Sequence, residues 1–82
     1  MIKVTVLGPG CFNCEKLADM CKQVLQENEL EGSVKKITDI NQITAMGVMM
    51  TPGLMINDEL KSSGKVPGKG EILNWFLKAS AS

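Results

Sequence analysis

The chain has 82 residues, 44% hydrophobic and 22% charged, proportions that suit a globular protein and exclude a disordered one. Nine lysines and no arginine offset nine carboxylates, so the net charge of zero argues against a nucleic-acid or other polyanion partner. Histidine is absent, which removes the usual general base and the commonest zinc ligand and leaves Cys, Lys, carboxylates and backbone to carry any chemistry.

A chain of this length has room for one core, so residues 1–82 are expected to form a single domain. Three cysteines do not make a disulfide scaffold. Met1 to Val6 lack the basic start, apolar run and cleavage site of a secretory signal. No apolar stretch approaches the roughly 18–20 residues that span a bilayer. The expectation is a cytoplasmic protein with no membrane partner, and in that compartment a close cysteine pair is more often catalytic or metal-binding than structural.

Ile2, Val4 and Val6 alternate with Lys3 and Thr5 and predict a first strand ending at Gly8-Pro9-Gly10. From Phe12 to about Glu29 the period becomes helical, with Cys14, Leu17, Ala18, Cys21, Val24 and Leu25 on one stripe. Gly32-Ser33 reads as a break and Val34 to Ile37 as a second strand. Asp39 and Gln42 resemble a capping box for a short helix carrying Ile40, Ile43 and Met46 that stops near Gly47. Leu54-Met55-Ile56 and Leu60 to Ser63, joined by a turn at Asn57-Asp58-Glu59, predict a hairpin. Gly64 to Gly70 reads as loop, and Glu71 to Leu77 as a closing helix with Gly68 as N-cap. The order β-α-β-α-β-β-α implies an α/β fold: two right-handed crossovers and a hairpin, giving a four-stranded mixed sheet with the first strand central and helices on both faces.

Cys11-Phe12-Asn13-Cys14 lies where the first strand gives way to the first helix. A thiol at a helix start meets unpaired backbone N–H groups and the positive end of the helix dipole, both of which favour the thiolate. Thiolate is the nucleophile of disulfide exchange, so an exposed, attacking Cys11 and a buried, resolving Cys14 are inferred. Cys21 is seven residues beyond Cys14, about 10 Å along the helix, and reads as a core residue. Thr51-Pro52 immediately precedes the third strand. On residue statistics alone a trans bond is the better expectation, whereas a cis bond would turn the Thr51 backbone outward to pair with an extended substrate.

Gly8-Pro9-Gly10-Cys11-Phe12-Asn13-Cys14, then Thr51-Pro52 before a hairpin, then Ser63-Gly64-Lys65-Val66-Pro67 before the last helix, resemble a thioredoxin-fold protein. More narrowly, they resemble the small, glutaredoxin-sized redox-active disulfide proteins of archaea and anaerobic bacteria. The resemblance implies a dithiol–disulfide oxidoreductase with Cys11 as nucleophile, Cys14 as resolving thiol and Pro52 as a cis-proline against the disulfide. Disulfide-containing protein substrates, an upstream thioredoxin reductase-type enzyme and a monomeric state go with it. No bound cofactor is required, because the electrons reside on the two sulfurs. Gly10 and Thr5 stand where larger thioredoxins carry an aromatic residue and a buried carboxylate, leaving water or Lys16 to handle the Cys14 proton.

Phe12, Asn13, Thr51, Pro52 and Met50 are the candidate substrate contacts. Met46, Met49, Met50 and Met55 either supply an adaptable apolar rim near Pro52 or fill the core, Met46 and Met55 in particular. Two other functions compete. The same cysteine pair suits Cu(I) or one corner of a zinc site, although only carboxylates or water are left to complete zinc. A glutathione-linked glutaredoxin is the second, but its Gly-Gly-Cys-Asp type signature is absent from Ser62-Ser63-Gly64-Lys65.

Overall fold

The computed structural model describes residues 1–10 and 12–81, with side chains through residue 80. Strand β1 (Ile2–Leu7) follows the alternation, burying Ile2, Val4 and Val6 on one face, with Leu7 buried on the other. Helix α1 (Phe12–Glu27) buries Cys14, Leu17, Ala18, Cys21, Val24 and Leu25 along one stripe. It is followed by β2 (Gly32–Ile37), α2 (Ile40–Ala45), β3 (Gly53–Ile56), β4 (Glu59–Ser63) and α3 (Lys69–Ala81). The α/β order is as the sequence implied, with shifted ends. Gly32-Ser33 belongs to β2 rather than to a break, and Lys69-Gly70 forms the first turn of α3 rather than loop.

The sheet order is β2-β1-β3-β4. β1 runs parallel to β2 and antiparallel to β3, which pairs antiparallel with β4. The expectation of two crossovers is therefore corrected: only β1-α1-β2 joins parallel neighbours, and α2 links strands of opposite direction. Apolar alternation sets which face a side chain takes but is blind to strand direction. One core packs α1 and the α3 residues Ile72 and Phe76 against Ile2, Val4, Val6, Leu54 and Ile56. A smaller one on the other face joins Leu7, Ile43 and Val48, with Ile37 and Met55 beside them.

Both α1 and α2 end in the same backbone motif. After α2 the amide of Gly47 donates to Thr44 O at 3.0 Å and that of Val48 to Ile43 O at 3.2 Å, with Gly47 at φ 85°. After α1 the amide of Glu29 donates to Gln26 O at 3.3 Å and that of Leu30 to Leu25 O at 2.9 Å, with Glu29 at φ 53°. The helix stops at Glu27, two residues before the sequence suggested, because Glu29 takes the left-handed position that glycine usually fills. At the hairpin, Asn57 and Asp58 are also left-handed (φ 52° and 66°), as a two-residue turn between twisted strands requires. Asn57 further ties the hairpin to β1: its amide donates to Lys3 O at 2.8 Å and its Oδ1 accepts from the Lys3 amide at 2.9 Å.

A left-handed Glu carries a penalty that glycine avoids, partly offset by the greater freedom glycine loses on folding. Glu29→Gly should therefore stabilise the protein by about 0.5 kcal/mol, read as a higher urea midpoint at unchanged slope.

Candidate redox site

The site forms where β1 ends against the first turn of α1 and the segment entering β3. The Gly8 amide donates to Ile37 O at 2.9 Å, fixing the end of β1 to β2. Gly10, at φ 90°, turns the chain toward α1. The predicted nucleophile, Cys11, lies outside the described residues. Phe12 and Asn13 open the helix and are exposed, Phe12 to 81%. Cys14 is only 2% exposed and is disulfide-bonded.

Thr51-Pro52 is cis, as the resemblance implied and the residue statistics did not. Pro52 is buried and Thr51 half-buried. A β-carbon placed at Gly8 would overlap Cys14 Sγ and lie 3.8 Å from Thr51 Cβ, which puts residues 8, 14 and 51 side by side. The structure thus brings Cys14 and Thr51-Pro52 together. Met49 and Met50 stand exposed at 86% and 63%. Met46, the C-cap of α2, is exposed as well, against the core alternative. Met55 is half-buried against the smaller core.

Two contacts at this site carried no sequence signal. Ser63 Oγ donates to Met50 O at 2.9 Å and the Gly64 amide donates to Pro52 O at 3.0 Å, so the end of β4 holds the Met50–Pro52 segment. Gly64 is left-handed (φ 80°), and a β-carbon there would come within 3.0 Å of Met50 Cβ and Cε. A hydrogen bond spanning thirteen residues leaves no periodic trace in a sequence. Beside the site, Lys36 Nζ donates to both Glu15 carboxylate oxygens at 2.9 and 3.1 Å, a half-exposed ion pair of modest energy.

Cys21 is a free thiol, fully buried in the larger core as the sequence suggested. Desolvation by burial pushes its pKa up to about 12.

The thioredoxin domain family model matches residues 2–77. A thioredoxin of Methanothermobacter thermautotrophicus is 35% identical over 72 residues, covering 88% of this chain and 94% of the relative. A thioredoxin of Methanocaldococcus jannaschii is 32% identical over 72 residues, covering 88% of this chain and 83% of the relative.

The Cys21 thiol should stay unalkylated by iodoacetamide at pH 8 in the native protein and react once denaturant is added, as peptide mass mapping reports. Its raised pKa leaves stability untouched below about pH 9, the unfolded value. Between there and about pH 12 the unfolded chain alone loses this proton, so stability should fall by about 1.4 kcal/mol per pH unit from this group. Cys21→Ala should remove that part of the alkaline slope, as paired urea titrations would show.

Proposed function

This chain belongs to the thioredoxin domain family and is a thiol–disulfide oxidoreductase, and we propose that it reduces protein disulfides through Cys11 and Cys14. The observation that carries this reading is a buried, disulfide-bonded Cys14 in the first turn of a sixteen-residue helix, next to Thr51-Pro52. Cys11 immediately precedes that turn in the sequence, where the helix dipole and unpaired N–H groups favour its thiolate. Its thiolate attacks a target disulfide and forms a mixed disulfide, releasing the first target sulfur. Cys14 then attacks the Cys11 sulfur and releases the second, leaving Cys11–Cys14 oxidised.

The exposed ring of Phe12, Asn13 beside it, the half-buried Thr51, Pro52 and the exposed Met50 side chain form the contact surface for the target. An upstream thioredoxin reductase-type enzyme regenerates the dithiol. Residues 1–82 act as one domain and as a monomer in the cytoplasm; among the described residues no helix is long and apolar enough to cross a membrane. The family match favours disulfide exchange over a soft-metal module or a glutathione-linked glutaredoxin.

Cys11→Ser should bring insulin-disulfide reduction down to the rate of the buffer thiol, because Cys14 is too buried to attack a protein target. Cys14→Ser should trap a mixed disulfide, visible as added mass. Turnover retained in Cys11→Ser would sink the role assignment.

A further inference from the structure

Gly8 is buried, and its φ lies outside the left-handed region, so its backbone alone would accept any residue. What excludes a side chain is space. The β-carbon that any other residue would carry falls onto Cys14 Sγ and sits 3.1 Å from Cys14 Cβ. Retreat of the strand is blocked by the 2.9 Å hydrogen bond from the Gly8 amide to Ile37 O and by the pairing of Leu7 with Gly53. Helix α1 is held by Leu17, Ala18 and Cys21 on its buried stripe. The yielding part is the Cys14 sulfur.

We propose that Gly8 is a positioning residue whose missing side chain forms the seat of the Cys14 sulfur, setting how readily that sulfur closes the disulfide. The inference rests on the reading of Cys14 as the resolving thiol. In the resolving step Cys14, its proton released to solvent, attacks the Cys11 sulfur of the mixed disulfide. The Cys11–Cys14 bond forms as the Cys11–target bond breaks, and the target thiolate takes a proton from water. Across the cycle two electrons pass from the cysteine pair to the target sulfurs. As a thiol, Cys14 can swing about its Cα–Cβ bond away from a side chain at position 8. Tied into the disulfide, it cannot. A larger residue at position 8 therefore penalises the oxidised state and the step that forms it more than the dithiol.

The test is Gly8→Ala, equilibrated in a glutathione redox buffer. The ratio of dithiol to disulfide should rise about tenfold over wild type, and the mixed disulfide should persist longer during turnover. A ratio within twofold of wild type overturns the proposal. A second measurement reads the contact without turnover: urea unfolding of wild type and Gly8→Ala in the oxidised and the reduced form, with Cys14→Ala and the double variant beside them. Gly8→Ala should lower the midpoint clearly in the oxidised form, and much less in the reduced form or where the sulfur is gone. An equal loss in the oxidised and reduced forms overturns the proposal. Should Gly8→Ala alone fail to fold, a folded double variant supports it and an unfolded one overturns it. Failure of Cys14→Ser to trap a mixed disulfide counts against the resolving-thiol reading alone, since the coupling between residues 8 and 14 is measured independently of it.

Discussion

The Gly8 amide donates to Ile37 O while Leu7, one residue earlier, is sealed into the smaller core with Ile43 and Val48. Together these contacts stop the interior strand of the sheet from sliding at the point where it hands the chain to α1. Every distance at the redox end is measured from that fixed point. Cys14 packs against it from the helix side, and Thr51 approaches it from the entry to β3. The same contacts hold the start of α1, the positive end of its dipole, in register with the strand end.

Cys14 and Cys21 share the buried stripe of α1, and their place along the helix distinguishes them. Cys21 lies within the larger apolar core, fully buried, so desolvation keeps it protonated. Cys14 is nearly as buried but lies in the first helical turn, next to the exposed Phe12 and Asn13 and the Thr51 segment. Placement along the helix therefore separates a disulfide-bonded sulfur from one that only packs, at residues of the same type on the same stripe.

Much of this was legible from pattern. The alternation of Ile2, Val4 and Val6, the helical stripe through Cys14 and Cys21, and the cap at Asp39 all report on local periodicity or local hydrogen bonding. The two helix ends show where legibility fails. Gly47 announces its left-handed cap, whereas Glu29 adopts the same geometry with a residue type that conceals it. The direction of β3 was hidden because alternation reads the same both ways. Gly8 looked like turn punctuation, since a residue that works by leaving space is recognised only once its neighbour is known. The hold of Ser63 on Met50 joins residues that no window of sequence compares.

The cores are unequal: α2 has six residues and covers its side of the sheet with few large side chains, whereas α1 and α3 bury a long apolar seam. Local opening free energies scale with such burial, so the molecule carries two tiers of cooperativity. The tier beneath the methionine-bearing segment is the shallower one. Amide hydrogen exchange should resolve it as an earlier-opening unit, with α2 and residues 46–50 exchanging ahead of α1; uniform protection across both would contradict that. A wall that loosens by itself lets the segment bearing Met49 and Met50 change contour while the rest of the sheet keeps its register.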